Sequence, residues 1–312
     1  MTMPYDALLV VSFGGPERRD DVVPFLENVL RGKGVPRERM LEVAGHYYRF
    51  QGRSPINDQV RALLAALTKE LAARGVALPV YWGNRNWHPM LSKTVARMRQ
   101  DGVRRALAFV TSAWSSNSSC RQYLENIGEA RRLAGEGAPE IDKIPPFGND
   151  PAFLEILVEQ VGDALKKLPG ATILYTAHSI PLSMASGCRY EEELTSTARS
   201  ISARLGCERW RLVYQSRSGP TRQSWLEPDI CAALRELAGG EVVLAPIGFL
   251  SDHLEVLYDL DVAARAVCDE MGIRMVRCAT AGAHGRFAAF VAGLMEKGLR
   301  GTVACKAECC PR

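Results

Sequence analysis

Residues 245–261 read APIGFLSDHLEVLYDLD and join the end of an apolar strand to the start of a helix. The strand-like run stops at Pro246, where the chain must leave the sheet. Ser251 or Asp252 is the predicted N-cap of the helix that follows, and Glu255 lies in its first turn. Because a strand that leads into a helix is the repeating unit of parallel α/β sheets, this stretch predicts that fold class.

The predicted helix carries Glu255 and Asp259 four residues apart, so both carboxylates share one face. Like charges at this spacing repel, and a helix that needed only stability would more often have Lys or Arg at one of the two positions. Beside His253 and Asp252, the pair suits a path for protons or a hard metal ion. A solvated acidic face fits the same spacing, which therefore does not decide between them.

A second strand ends in a histidine. Residues 171–181 read ATILYTAHSIP, a buried-strand pattern that stops at His178. Ligands of open α/β sheets bind at the carboxyl ends of strands. A histidine at one such end and acidic residues beyond another predict a site that contains His178 and Glu255.

Strands and helices alternate on both sides of PPFGNDP at 145–151, which is typical of a linker. We therefore predict two doubly wound, Rossmann/flavodoxin-like parallel-sheet domains of the α/β class, with a ligand cleft between them. The predicted parts are residues 1–146 with the lip of the cleft, residues 147–300 with the site, and a Cys-rich tail, 301–312, that packs on the N-terminal domain.

Composition excludes several classes of protein. The 312 residues carry a net charge of +4 with no basic stripe, so we predict no nucleic-acid partner. No apolar run approaches the roughly 20 residues of a membrane span, and the first residues lack a signal-peptide layout, so a cytoplasmic location is predicted. In that setting disulfides are not expected. Five of the nine cysteines are predicted to be small buried hydrophobes: Cys188, Cys207, Cys231, Cys268 and Cys278.

The segments TAHSIP and GFLSDHLEVLYDLD together resemble the ferrochelatase family, the enzymes that insert iron into a porphyrin. SFGGPERRDDVVPFLENVLRGKG, HYYRFQGRSPIN and YQSRSGPTRQSWLEP extend the resemblance over nearly the whole chain. NRNWHP and TSAWSSNSSCRQYLENI look most like the actinobacterial branch. The resemblance implies a lyase that takes Fe(II) and a porphyrin as substrates, with coproporphyrin III favoured over protoporphyrin IX.

Iron insertion requires that two pyrrole protons leave while the cation loses its waters. The resemblance makes His178 the proton acceptor and Glu255 its partner, and both also candidates to bind the incoming Fe(II). The predicted supporting residues are His253, Tyr258 and Asp259. The predicted substrate-binding residues are Phe13 and Trp225 against the macrocycle, and Arg53 and Ser54 at a propionate, although Ser54 also fits a plain helix cap.

Three cysteines crowd the last eight residues: Cys305, Cys309 and Cys310. Three sulfur ligands need a fourth to hold an Fe–S cluster or a structural zinc. Some ferrochelatases carry a 2Fe–2S cluster on three C-terminal cysteines and one internal cysteine, and the resemblance assigns Cys120 as the internal ligand. Zinc instead of the cluster, or Cys278 instead of one ligand, stays open.

Two other functions compete with a ferrochelatase. The first is a chelatase for another tetrapyrrole and metal, such as sirohydrochlorin with cobalt or nickel. The second is a tetrapyrrole-binding protein without activity, which the joint presence of His178 and Glu255 disfavours. The sequence leaves open a peripheral membrane contact and the choice between a monomer and a homodimer.

Overall fold

The computed structural model describes residues 4–217, 223–237, 239–301 and 305, and these residues form two four-stranded parallel sheets. The strands of the first sheet are β1 (Ala7–Ser12), β2 (Val80–Asn84), β3 (Arg105–Val110) and β4 (Glu140–Lys143), in the order β2-β1-β3-β4. Those of the second are β5 (Thr172–His178), β6 (Trp210–Gln215), β7 (Gly240–Ala245) and β8 (Ile273–Arg277), in the order β6-β5-β7-β8. Both orders are flavodoxin-like, so the predicted fold class is confirmed.

Helices connect the strands. In chain order they are α1 (Val22–Leu30), α2 (Arg37–Arg49), α3 (Ile56–Ala73), α4 (Leu91–Gln100), α5 (Gln122–Ala134), α6 (Pro151–Lys167), α7 (Leu182–Ala185), α8 (Tyr190–Leu205), α9 (Ile230–Arg235), α10 (Leu254–Val256), α11 (Arg265–Glu270) and α12 (Phe287–Leu299). Two segments wind in wide π turns, Asn117–Arg121 before α5 and Leu257–Ala264 between α10 and α11. Among the described residues, no helix is both long and apolar enough to cross a membrane.

The strands form because both faces of each sheet are covered. All six residues of β1 are buried, as expected for a parallel strand between two helical layers. Side chains of β1 and β3 pack against α4 and α5 in the first core. Those of β5 and β7 pack against α9 and the π-helical segment in the second. Side chains also define two helix starts, since Asp150 caps α6 and Asp229 caps α9.

The described chain divides into two compact units, each with one sheet. The first contains residues 4–112, 117–146, 288–301 and 305, and the second contains the remainder. This division differs from the predicted boundary at residue 300, because α12 packs with the first sheet. Gly298 lies directly against Leu107 of β3, and Arg74 pairs with Glu296 at 3.3 Å.

The short segment 113–116 belongs to the second unit, which sequence analysis also did not predict. The Trp114 indole N–H donates to the carbonyl oxygen of Ile247 at 3.0 Å. The Ser115 hydroxyl and backbone N–H both donate to the buried carboxylate of Glu193. These bonds hold the segment against α8 and the loop that follows β7.

Candidate active site

The candidate site lies at the point of the second sheet where the chain reverses its direction of winding. From β5 the chain crosses to β6 on one side and then returns to β7 on the other. Crossovers that diverge in this way leave a crevice at the carboxyl ends of the two central strands, where ligands of α/β sheets bind. His178 is the last residue of β5, and Glu255 lies in α10, which follows β7.

A hydrogen bond to the main chain of the next residue fixes the orientation of the His178 ring. Its Nδ1 lies 2.5 Å from the carbonyl oxygen of Ser179, which can only accept, so Nδ1 carries the proton in the neutral ring. The other nitrogen, Nε2, then has a lone pair, and it lies 3.7 Å from Oε2 of Glu255. The side chains of His178 and Glu255 are 32% and 47% exposed, so a substrate can reach both.

The helix predicted to follow β7 is not one continuous α-helix. A short α-helical turn, α10, passes into the π-helical segment Leu257–Ala264 and then into α11. Runs of π turns are rare, and π turns are frequently found at functional sites. Glu255 stands just before the π-helical segment and Asp259 within it.

Asp259 is the most perturbed carboxylic acid of the site. Burial raises its pKa to about 6, and the nearby charge of Glu255 acts in the same direction. The Ser216 hydroxyl donates to Oδ2 of Asp259, and the Gln215 side-chain amide donates to the same oxygen at 3.3 Å. That amide also lies 3.4 Å from the carbonyl oxygen of Glu255. Gln215 therefore joins the turn that carries Glu255 to the turn that carries Asp259.

The predicted cap of this helix was wrong. His253, rather than Ser251 or Asp252, is the N-cap, and its Nδ1 accepts from the Val256 N–H at 3.4 Å. Burial lowers the pKa of His253, and its ring contacts Phe249 edge-on at 5.2 Å. A neutral His253 thus shapes the turn that presents Glu255.

Tyr258 lies half-buried in the π-helical segment, between Glu255 and Asp259 in the chain. Trp225 is beside the histidine strand. It is 8% exposed and pairs with Pro181, and the Leu226 N–H donates to the carbonyl oxygen of Ile180 at 3.0 Å. The segment around Trp225 therefore runs along the residues that follow His178.

The other predicted substrate-binding residues lie in the first unit. Phe13 follows β1 and packs edge-on against Phe25, with the Arg85 guanidinium 5.5 Å from its ring. Arg53 is exposed and pairs with Asp58 at 2.5 Å. Ser54 is 3% exposed and gives α3 no side-chain cap. The alternative assignment of Ser54 as a helix cap was therefore wrong, because Pro55 takes that position.

Two of the four predicted cluster ligands are described. Cys120 is 2% exposed in the π turn before α5, and the Cys305 N–H donates to the carbonyl oxygen of Lys143 at 2.8 Å. Cys309 and Cys310 lie outside the described residues. No group of three or more candidate metal ligands occurs among the residues that are described.

The remaining cysteines are only partly as predicted. Cys268 and Cys278 are buried, whereas three others are partly exposed: Cys188, Cys207 and Cys231. Cys278 donates its thiol to the carbonyl oxygen of Gln160, and burial raises its pKa to about 12. A ligand must be a thiolate, so this environment disfavours Cys278 as a replacement ligand.

Three residues around the site were not predicted from the sequence: Gln215, Ser216 and Arg277. Gln215 and Arg277 are the last residues of β6 and β8, and Ser216 follows Gln215. The signal that identified His178, a polar residue at the carboxyl end of an apolar strand, applies to them equally.

The chain is similar to known proteins both in sequence and in structure. A family model described as Ferrochelatase matches residues 5–299. A ferrochelatase of Rhodopirellula baltica is 51% identical over 304 residues, which cover 95% of this chain and 87% of that protein. A coproporphyrin III ferrochelatase of Streptomyces coelicolor is 52% identical over 318 residues, covering 94% and 85%. Among solved structures, the sirohydrochlorin chelatase SirB from Bacillus subtilis subspecies spizizenii in complex with cobalt matches with a TM-score of 0.58 at 12% identity, over 96% and 99% of the two chains.

Two flavodoxin-like sheets, with a histidine and a carboxylate at the strand ends of one, define an α/β protein with the fold of the chelatases. Within that class, the chain belongs to the ferrochelatase family, the lyases that insert iron into a porphyrin, as the resemblance in sequence predicted.

Proposed function

We propose that this protein inserts Fe(II) into coproporphyrin III, with release of two protons, and that His178 and Glu255 carry the chemistry. The observation that supports this most is the orientation of His178. Its Nδ1 is committed to the Ser179 carbonyl oxygen, so the lone pair of Nε2 is left beside the carboxylate of Glu255. The choice of porphyrin rests on relatives named coproporphyrin III ferrochelatase at about half identity.

The proposed proton transfers follow from this geometry. A pyrrole N–H of the bound porphyrin gives its proton to Nε2 of His178, and the imidazolium is stabilised by Glu255. At 3.7 Å, the proton passes to Glu255 after a small side-chain movement or through one water. The second pyrrole proton follows the same route. The four nitrogens of the porphyrin then coordinate the iron. Before insertion, the incoming Fe(II) can be coordinated either by the imidazole nitrogen of His178 or by the carboxylate oxygens of Glu255.

Asp259 extends the route away from His178. With a pKa of about 6, it gains and loses a proton easily near neutral pH. Ser216 and Gln215 both donate to its carboxylate, and the same Gln215 amide lies beside the main-chain carbonyl oxygen of Glu255. We propose that Asp259 receives protons from Glu255 and releases them to solvent, with His253 and Tyr258 shaping the turn.

For the porphyrin, we propose Phe13 and Trp225 as contacts to the macrocycle and Arg53 as a contact to a propionate. The ion pair of Arg53 with Asp58 is exposed, and such pairs are worth at most about 1 kcal/mol, so a propionate can replace Asp58. Ser54, which is buried against Gly15 beside Arg53, stays a proposed contact to the same propionate.

We propose that Cys120, Cys305, Cys309 and Cys310 hold a 2Fe–2S cluster. Cys120 precedes α5, at the carboxyl end of β3, and the main chain at Cys305 is bonded to the last residue of the neighbouring strand β4. Both thus lie at the same edge of the first sheet, which fits a shared ligand set. When bound, the cluster would supply a cross-link between the tail and this edge.

The function is tested by anaerobic mixing of the purified protein with Fe(II) and either coproporphyrin III or protoporphyrin IX. Absorbance of the Soret band follows the product. We expect insertion into coproporphyrin III at a higher kcat/KM. Preference for protoporphyrin IX would overturn the choice of substrate. Failure with both porphyrins, together with cobalt insertion into sirohydrochlorin, would overturn the proposed function itself.

The site is tested with His178→Ala, for which we expect a loss of kcat of at least about 100-fold because the proton acceptor is gone. His284→Ala is the matched control, since His284 also pairs with a glutamate, Glu159 at 3.2 Å, in the same unit. The control should retain kcat within about twofold. Normal iron insertion by His178→Ala at neutral pH would contradict the assignment.

A further inference from the structure

Arg277 is bonded to both ends of the acidic segment that carries Glu255 and Asp259. Its Nε and Nη2 donate to the two carboxylate oxygens of Asp261 at 2.7 and 2.9 Å. Its Nη1 donates to Asp252 at 2.8 Å and to the carbonyl oxygen of Cys278 at 3.0 Å. One guanidinium therefore joins a residue just before α10 to a residue within the π-helical segment.

This arrangement is largely enclosed. The side chains of Arg277, Asp252 and Asp261 are 16%, 14% and 35% exposed. Two parallel N–H···O bonds to one carboxylate fix the orientation of a guanidinium as well as its position. Arg277 is the last residue of β8, and the carbonyl oxygen of Met275, two residues earlier in that strand, accepts a hydrogen bond from Arg265 at the start of α11. The anchor is thus part of the sheet and not of the helical segment that it holds.

The segment between the two anchored carboxylates needs such support. Over Leu257–Ala264 the chain winds in π turns, although an α-helix with 3.6 residues per turn is the more stable alternative for most sequences. Rewinding as an α-helix would rotate the residues after Val256 about the helix axis. Asp259 would then turn relative to Glu255 and away from Ser216. Asp252 and Asp261 cannot both keep their bonds to Arg277 during that rotation.

Only some of the carboxylates in residues 252–261 pair with the Arg277 guanidinium, and the others face the site. Of the four carboxylates, Asp252 and Asp261 are paired with Arg277. Glu255 faces His178, and Asp259 accepts from Ser216 and Gln215. The first two carry the structure, and the second two are those proposed to move protons.

We propose that Arg277 is a positioning residue that holds the π-helical segment in the form that places Asp259 beside Glu255. It touches neither porphyrin nor iron and acts through Asp252 and Asp261. The proposal rests on the proposed roles of Glu255 and Asp259 in iron insertion.

The test compares Arg277→Lys and Arg277→Ala with the wild-type protein in the iron-insertion assay. Lysine keeps the charge but cannot span both carboxylates. We expect kcat to fall at least about tenfold in both variants, with KM for the porphyrin within about twofold. Arg274→Ala is the matched control, because Arg274 lies on the same strand in an exposed pair with Glu241. Its kcat should stay within about twofold of wild type.

Chemical rescue separates positioning from a general loss of folded protein. Guanidinium chloride at a non-denaturing concentration should restore at least a third of kcat to Arg277→Ala, whereas ammonium chloride at equal ionic strength should not. Circular dichroism should be the same with both salts. If Arg277→Ala does not fold, Asp261→Asn takes its place and should lower kcat without changing KM.

A wild-type kcat in Arg277→Lys and Asp261→Asn would overturn the proposal, as would a change confined to KM. Equal recovery with ammonium would also overturn it. These outcomes differ from failure of the proposed function, in which the wild-type protein itself makes no metalloporphyrin.

Discussion

At the scale of single residues, hydrogen-bond partners decide which groups can do chemistry. His178 and His253 are both near Glu255, but their environments differ. The Nδ1 of His178 is bonded to the Ser179 carbonyl oxygen, so Nε2 is left to accept a proton. The Nδ1 of His253 accepts the Val256 N–H, and burial keeps that ring neutral. The two histidines therefore have different proposed roles, one as proton acceptor and one as helix cap.

Asp259 should cost the protein stability, and we expect Asp259→Asn to be more stable than wild type at pH 7.5. Its folded-state pKa of about 6 lies above the unfolded value of 3.8, so the folded state binds the proton more tightly. The ionised side chain thus destabilises the fold by about 3 kcal/mol above about pH 6, and this cost shrinks as the pH falls and disappears below about pH 4. Thermal melts at several pH values measure the difference.

The gain in Tm from Asp259→Asn should be about 6–12 °C at pH 7.5 and should shrink as the pH falls. Asp163→Asn is the control, because its exposed partner Lys166 lowers the pKa of Asp163 instead of raising it. That variant should not gain stability. An Asp259→Asn protein less stable than wild type at pH 7.5 would show that burial of the charge is not the dominant effect.

At the scale of elements, the loop after β7 must pass very close to β5. The Gly248 N–H donates to the Thr176 carbonyl oxygen at 3.0 Å. A Cβ on Gly248 would lie 2.6 Å from the Cα of Ala177, the residue before His178. Only glycine permits this approach, which brings the loop leading to α10 against the end of the histidine strand.

Gly248→Ala should therefore destabilise the second unit and displace the end of β5. The added methyl meets backbone atoms, which cannot rotate away, so we expect a loss of about 1–3 kcal/mol in the free energy of unfolding. We also expect a fall in kcat, because His178 follows the displaced residues. Denaturant unfolding and the iron-insertion assay measure the two effects.

Gly128→Ala provides the comparison for Gly248→Ala. Gly128 lies within α5, and an added Cβ would meet nothing within 4 Å. Alanine should there stabilise the helix by about 0.5–1 kcal/mol and leave kcat unchanged. If both glycines tolerated alanine equally well, the close approach at Gly248 would not matter for stability.

At the scale of the whole molecule, the two units share one strand order but not one chemistry. β1 and β5 hold equivalent places in their sheets, yet β1 leads into Phe13 and a glycine turn, whereas β5 ends in His178. The fold provides the strand ends, and the residues placed there determine the function. The first unit also holds Cys305 of the tail, whose backbone N–H donates a hydrogen bond to the carbonyl oxygen of Lys143 at the end of β4.

Cys305→Ser should remove the proposed cluster. We expect loss of bound iron, acid-labile sulfide and visible absorption, and a lower free energy of unfolding. By analogy with other covalent cross-links, the loss should be about 2–4 kcal/mol. Cys207→Ser is the control, since Cys207 is partly exposed in the second unit and is bonded to the Arg209 carbonyl oxygen. Unchanged iron, sulfide and absorption in Cys305→Ser would contradict the ligand set.

Local pattern was enough to predict the parallel α/β class, the strand that ends at His178 and the acidic segment with Glu255 and Asp259. These features depend on hydrophobic periodicity and on turn residues, and both can be recognised from residues that are close together in the sequence. The resemblance of short segments added the family, which the comparisons then confirmed.

The tertiary structure alone decided which residues surround those side chains. The π turns of Leu257–Ala264, the bonds of Ser216 and Gln215 to Asp259, and the packing of α12 on the first sheet were not predicted. Each depends on groups far apart in the chain, such as Arg277 with Asp252 and Asp261. Local spacing describes a residue's neighbours along the chain. The hydrogen-bond partners of a buried polar group depend instead on the tertiary structure, which brings together residues that are distant in the sequence.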